Sequence, residues 1–233
     1  MSIVNVLSIE VRPDKFRKYE GLCHELAEHA KERHDPMHWT AHQTRIGPSN
    51  AMHFVLAAED FSALSALGTP EEMFGRVLGE KRAHEWIEKV DDCVVIRQQE
   101  ISVDRPDLSY PPDDLTRTAP LAVVTLARAR PGQQDACEEL IRKVAEAIPK
   151  VDDAARIISY QTILGDLSQY WTIRPLQSLA ELDRQLPPAE LLNRAFGPAE
   201  GGLIFRSGLE AMAAVERRVV AYRRELSNPP EGA

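Results

Sequence analysis

The chain has 233 residues, 43% of them hydrophobic, and its 36 acidic residues outnumber 28 Lys and Arg to give a formal net charge of −8. Nucleic-acid binding requires clustered Lys and Arg to neutralise phosphates, so we expect no nucleic-acid partner. No apolar run reaches the roughly 20 residues of a membrane helix, no signal peptide is evident and three widely spaced cysteines suit reduced thiols, so we expect a cytoplasmic protein that does not enter a membrane.

The first half predicts elements in the order βαββαβ, which is the ferredoxin-like split unit. A β-branched run ends at Arg12-Pro13-Asp14, and apolar residues then recur at helical spacing. Proline and glycine separate the later segments. The predicted elements are, in chain order, a strand over 4–11, a helix from 16 to about 30, two hairpin strands over 39–46 and 52–58, a short helix from 60 to about 67, a longer helix from 69 through 87 and a last strand over 93–101.

The second half repeats the first. When the sequence is shifted by 118 positions, 21 of the 115 compared pairs are identical, against roughly 7 expected by chance. Two units of this size predict two small domains. We place a first unit at 1–103, a Pro- and Asp-rich linker at 104–119 and a second unit at 120–233.

Each unit would leave one face of its sheet without helices, and a bare apolar face must be covered. We therefore expect an α+β fold in which two tandem ferredoxin-like units pack sheet to sheet within one chain. The Arg12-Pro13 opening, the Gln43-Thr44-x-x-Gly47 hairpin and the half-length of about 110 residues resemble the dimeric α+β barrel superfamily. Unlike many members, which carry Trp at the end of the third strand, this chain has Ala58 and Leu176.

All seven histidines lie in the first half, which favours an active first unit and a degenerate, structural second unit over chance drift. His42 and His53 fall on the two hairpin strands. A four-residue loop predicts that Thr44 lies opposite His53 and His42 opposite Val55, all on one face. Histidine exchanges protons near neutral pH, so we take His42 and His53 as catalytic candidates, while half-buried structural histidines are the alternative.

The other face of this hairpin carries three further candidates for a cavity wall or for binding substrate oxygens: Trp39, Gln43 and Arg45. Either face of the hairpin is compatible with the lining of a cavity. His84, which has no counterpart in the second half, is a further substrate-binding candidate. The alternative for it is a surface ion-pair row formed with Arg76 and Glu80 at helical spacing.

We predict no metal site. His24 and His29 resemble a zinc-protease box but are five positions apart, so a helix directs them about 140° away from each other. His34, His38 and His42 are interrupted by Pro36 and lack a completing Cys or carboxylate.

The resemblance implies an oxygenase of the antibiotic-biosynthesis monooxygenase type, acting on an aromatic polyketide-like phenol with dioxygen. Tandem ring-opening oxygenases of angucycline biosynthesis, which this layout resembles, imply reduced flavin (FADH2 or FMNH2) as an electron source, whereas other members use no cofactor. Haem, which relatives of the chlorite dismutase type bind through a histidine of their C-terminal unit, is disfavoured because residues 120–233 contain none. A polyketide cyclase, or a non-catalytic stress-type barrel that binds a small hydrophobic ligand, is the alternative, and a homodimer is compatible with each.

Overall fold

A computed structural model describes residues 2–111, 119–151 and 155–230. Their element order repeats βαββαβ twice, as the sequence predicts. The first repeat comprises β1 (Ile3–Val11), α1 (Phe16–Glu32), β2 (Thr40–Ile46), β3 (Ala51–Ala58), α2 (Phe61–Ala66), α3 (Pro70–Leu78), α4 (Glu80–Asp91) and β4 (Val94–Asp104). The second comprises β5 (Leu121–Ala129), α5 (Gln134–Lys150), β6 (Ile158–Leu164), β7 (Gln169–Leu176), α6 (Pro188–Phe196), α7 (Pro198–Ala211) and β8 (Met212–Tyr222).

The eight strands form a closed barrel with the hydrogen-bonded order β1-β3-β2-β8-β5-β7-β6-β4. The pairs β1–β3, β2–β3, β5–β7 and β6–β7 are antiparallel. The expected α+β barrel is therefore confirmed. None of the helices in the described ranges combines the length and the apolar character that a membrane crossing requires.

Two compact units are present, and the first is built from two separate stretches of sequence. The first unit takes the described residues of 1–102 together with those of 220–233, and the second takes those of 103–219. The C-terminal segment belongs to the first unit because Leu226 is buried in that unit's core and Asn228 pairs with Trp39.

The predicted linker, 104–119, is ordered over its first part, while residues 112–118 lie outside the described ranges. Pro106–Leu108 forms a short 3-10 helix, and Leu108 is fully buried in the core of the second unit. Leu108 corresponds to Leu226 in the repeat, so both repeats end on the same buried leucine.

In the first unit, one face of the sheet packs on α1, α3 and α4. Ile9 of β1, Met52 of β3 and Leu26 of α1 belong to one buried cluster. Trp86 of α4 joins them and donates its indole N–H to the Leu22 carbonyl at 3.0 Å. These apolar side chains recur at strand or helix period, which is why the sequence predicted their elements.

The long helix predicted from 69 through 87 is instead two helices, and that prediction is wrong. Gly79 separates α3 from α4 with φ 83° and ψ 145°, a conformation that ends a helix. Arg76 and His84 therefore lie on different helices, and the predicted ion-pair row does not form. Arg76 instead pairs with the buried Asp35 at 3.0 Å.

Candidate functional site

The two faces of the first unit's sheet differ in chemistry. Side chains of Leu7, Ile9, Ala41 and Met52 contact the helix-side core. Since side chains alternate along a strand, the neighbouring positions point to the opposite face. We call this set the histidine face, and it consists of Ser8, Thr40, His42, Thr44 and His53.

The strand register places the two histidines directly opposite each other. His42 of β2 pairs with His53 of β3, and His53 pairs in turn with Ser8 of β1. The predicted register, with Thr44 opposite His53 and His42 opposite Val55, is wrong by two residues. The ladder ends at Gln43–Met52, so β2 extends past its last paired residue before the turn. A shift by two preserves the face, so the histidines still share one side, as predicted.

The ring of His53 is fixed by two hydroxyl groups. Its Nδ1 lies 2.9 Å from Ser8 Oγ, and its Nε2 lies 3.1 Å from Thr44 Oγ1. His53 is 7% exposed and Thr44 is fully buried, whereas Ser8 is half-buried. A buried imidazole with both nitrogens engaged has its orientation set by the sheet rather than by solvent.

His42 is held less tightly. Its Nε2 lies 3.0 Å from Thr40 Oγ1, and its ring centroid lies 5.7 Å from that of Tyr222. No described residue hydrogen-bonds its Nδ1. Burial lowers the pKa of His42 from 6.5 to about 4, because desolvation penalises the charged imidazolium. At neutral pH His42 is therefore an uncharged imidazole with an available ring nitrogen.

Solved structures with the same fold come from several enzyme types. An anthrone oxidase-like protein superposes with a TM-score of 0.58 at 14% identity, covering 100% of this chain and 95% of the other. A monooxygenase candidate from Lactobacillus acidophilus NCFM gives 0.54 at 5% identity over 95% and 93% of the two chains. A mutant chlorite dismutase from Candidatus Nitrospira defluvii gives 0.54 at 8% identity over 96% and 92%. No protein-family model and no curated protein matches the chain.

The chain has the dimeric α+β barrel fold. The near-complete coverage of both partners in these superpositions, together with the closed eight-stranded order, establishes that architecture. Identities this low describe the fold and leave the chemistry of the site to the residues of this chain.

The second unit of this α+β barrel carries a different set at the positions of the histidine face. Tyr160 and Trp171 pair across β6 and β7 where the first unit has His42 and His53. Leu126 takes the place of Ser8. Burial, with a smaller contribution from the charge of Asp104, raises the pKa of Tyr160 to about 12. The duplicated scaffold therefore presents imidazoles in one unit and large aromatic side chains in the other.

Trp39 and Gln43 lie on the helix side, away from the two histidines. Trp39 is 7% exposed and donates its indole N–H to the Leu226 carbonyl at 2.9 Å. Gln43 accepts a hydrogen bond from Arg223, which also pairs with Glu20 of α1. The structure therefore separates these two substrate-binding candidates from His42 and His53.

The second unit repeats the Gln43 arrangement. Arg105 donates to Gln161 at 2.6 Å and to Glu138 of α5 at 2.7 Å, and Glu138 also accepts from the Tyr170 hydroxyl at 2.7 Å. A network that both units keep, including the unit without histidines, is one that joins a helix to the sheet.

The remaining two candidates are exposed side chains. Arg45 lies on the part of β2 beyond the paired ladder, and His84 lies on the outer side of α4. Of the six residues proposed from sequence, the structure brings together His42 and His53. Ser8 and Thr40 also belong to the site and were not predicted, although a half-buried serine that follows Val4 and Val6 on the alternate face of β1 is a signal that could have identified Ser8.

Within the described ranges, no group of three or more His, Cys, Asp and Glu side chains could hold a metal ion. Residues 120–233 contain no histidine, so an imidazole ligand to haem would have to come from the first half of the chain.

Proposed function

We propose that this barrel is an oxygenase that acts on a phenolic, aromatic polyketide-like substrate with dioxygen, and that the reaction takes place at the histidine face of the first unit. The observation that carries this proposal is the direct pairing of His42 with His53 on the side of the sheet that faces away from the helices. The presence of an anthrone oxidase-like protein and a monooxygenase candidate among structures of this fold supports it.

His42 is the base in this proposal. A phenol O–H placed at its Nδ1 transfers the proton to that nitrogen, so the O–H bond breaks, an N–H bond forms and a phenolate remains. A neutral, poorly solvated imidazole is a weak base alone, but the phenolate beside it stabilises the imidazolium as an ion pair. The electron-rich phenolate then reacts with dioxygen, the oxidant, and the electrons come from the substrate or from added reduced flavin.

His53 orients the substrate and does not accept the proton. Both of its ring nitrogens already contact hydroxyl groups, those of Ser8 and Thr44, so proton acceptance would require one of these hydroxyls to turn from donor to acceptor. The hydrogen-bonded residues Ser8, His53 and Thr44 lie beside His42, where they can fix a second polar group of the substrate.

Oxygen consumption tests the proposal. Purified protein should consume dioxygen with anthrone above the protein-free rate, and parallel reactions with and without reduced FMN identify the electron source. His42→Gln should lower the rate by about 10²- to 10⁴-fold, the usual contribution of a positioned acid–base group. His38→Gln, at an exposed histidine outside the site, is the matched control and should retain full activity.

Three results would contradict the proposal. Uptake equal to the protein-free rate, with anthrone binding retained, would favour the non-catalytic ligand-binding barrel. Full activity in His42→Gln would remove the base assignment. A Soret band in the absorbance spectrum of the purified protein would show haem and redirect the search to its ligand.

A further inference from the structure

Three polar side chains form a continuous hydrogen-bonded chain across the first unit's sheet. Thr44 on β2, His53 on β3 and Ser8 on β1 are joined by contacts of 3.1 Å and 2.9 Å. Burial decreases along this chain: Thr44 is fully buried, His53 is 7% exposed and Ser8 is half-buried. A ligand on the histidine face therefore meets the chain at the Ser8 hydroxyl.

The second unit indicates the direction of these hydrogen bonds. Trp171 and Thr162 occupy the positions of His53 and Thr44 in the repeat, and the Trp171 indole N–H donates to Thr162 Oγ1 at 3.3 Å. An indole nitrogen can only donate, so the threonine oxygen at this place in the scaffold is an acceptor. We infer that the first unit keeps this direction, so that His53 carries its proton on Nε2 and donates it to Thr44.

This tautomer leaves His53 Nδ1 as a lone pair that accepts the Ser8 hydroxyl hydrogen. Ser8 has one hydrogen to donate, and it is used inside the chain. Ser8 Oγ can therefore only accept a hydrogen bond from a ligand and cannot donate one. A ligand O–H can satisfy it, whereas a ligand carbonyl or methyl ether cannot.

We propose that Ser8 determines specificity by accepting a hydrogen bond from a free hydroxyl of a fused-ring phenol. This inference rests on the proposed function for the location of the site. His42, the base, and Ser8 lie on β2 and β1, two strand spacings or about 10 Å apart, with His53 between them. A ligand that contacts both therefore needs a fused aromatic scaffold with hydroxyls at opposite ends, and the site discriminates against its ethers and quinones.

Binding of two naphthalene probes tests this specificity without requiring turnover. The wild-type protein should bind 2,6-dihydroxynaphthalene about 5- to 10-fold more tightly than 6-methoxy-2-naphthol, the ratio that one hydrogen bond supports. Ser8→Ala should reduce the ratio to near 1 by weakening the diol alone. Ser8→Thr, which retains the hydroxyl, should restore the preference, and Leu126→Ala, the matched position of the second unit, should leave it unchanged.

Nitrogen-15 NMR of the imidazole ring gives an independent readout. We expect Nε2 of His53 to be protonated and Nδ1 to be bare, with the Nδ1 signal moving in Ser8→Ala; His53→Gln assigns the resonances. A protonated Nδ1, an unchanged probe ratio in Ser8→Ala or no binding of either probe would overturn the proposal. A retained probe preference without oxygen uptake would instead contradict the oxygenase and leave the Ser8 assignment standing.

Discussion

At the scale of single residues, His42 couples protonation to folding. Its pKa falls to about 4 in the folded protein because the side chain loses solvent, while an unfolded chain keeps the ordinary value near 6.5. The folded state therefore binds fewer protons than the unfolded state between these two values. Stability from this source is complete above pH 6.5, decreases as the pH falls toward 4 and stays constant below that.

The pH dependence of unfolding should show this proton. Between pH 6.5 and 4, His42 contributes a slope approaching 1.4 kcal/mol per pH unit to the free energy of unfolding. Urea unfolding of His42→Gln should be measured at half-unit pH steps. The slope of its unfolding free energy against pH should be smaller than that of the wild type by the contribution of about one proton. His38→Gln should reproduce the wild-type slope, and a His42 variant that does so as well would refute the assigned protonation state.

The same residue illustrates what sequence can and cannot provide at this scale. The absence of histidine from the second half identified His42 and His53 as unusual. The alternation of side chains along the two hairpin strands predicted that both lie on one face. The pKa of His42 and the hydroxyl partners of His53 depend on which strands lie beside them. Ser8 is 45 positions from His53 along the chain, and no local pattern encodes that contact.

At the scale of elements, the order of helices and strands followed from periodicity, and the errors occurred where backbone geometry decides. The register of the β2–β3 hairpin is one such case. The length of the loop does not determine how many residues of β2 extend beyond the last paired residue. The break at Gly79 is another. Its counterpart Gly197 adopts the same conformation, with φ 87° and ψ 156°, between α6 and α7.

Replacing Gly79 should therefore be costly for reasons of backbone conformation. A Cβ at Gly79 would meet no neighbouring atom within 4 Å, so the strain of a conformation that non-glycine residues rarely adopt is the whole effect. We expect Gly79→Ala to reduce the free energy of unfolding by about 1–3 kcal/mol.

Gly21, inside α1 and equally free of neighbours, provides a control of opposite sign. Gly21→Ala should stabilise the protein by about 0.5–1 kcal/mol, since alanine is the better helix former. Urea unfolding of both variants measures the difference. Equal effects of the two substitutions would show that α3 and α4 do not require the glycine between them.

The arginine networks connect element to element in each unit. Hydrogen bonding from Arg105 keeps the pKa of Glu138 below its usual value, and the same type of contact joins Arg223 to Glu20. Gln43 belongs to this duplicated framework, which explains a polar residue at a helix-facing strand position without a ligand. Sequence alone could not distinguish it from a binding residue, although the identity of Gln43 with Gln161 was a sign of a shared structural role.

At the scale of the whole molecule, duplication made the fold predictable. The repeated order of elements implied two ferredoxin-like units, and the need to cover their bare faces implied a barrel. The composition of the units was harder to infer. A linker identified by its Pro and Asp content includes Leu108, which is fully buried, and the last strand of each repeat continues into a segment that packs in the other unit.

This exchange of segments makes a prediction that sequence order would not. Leu226→Ala removes a core side chain from the first unit, and Leu108→Ala removes the equivalent side chain from the second. Each should cost about 2–5 kcal/mol, the usual range for a buried leucine. Hydrogen exchange should show Leu226→Ala opening α1 while α5 stays protected, although Leu226 follows α5 in the sequence.

Leu108→Ala should give the mirror result, with α5 opened and α1 protected. The two variants control for each other, because they make the same chemical change at matched positions of the repeat and differ in the unit that loses it. Loss of protection in the same helix from both substitutions would contradict the assignment of the C-terminal segment to the first unit. Opposite patterns would show that the chain returns at its end to complete the unit that carries the histidine face.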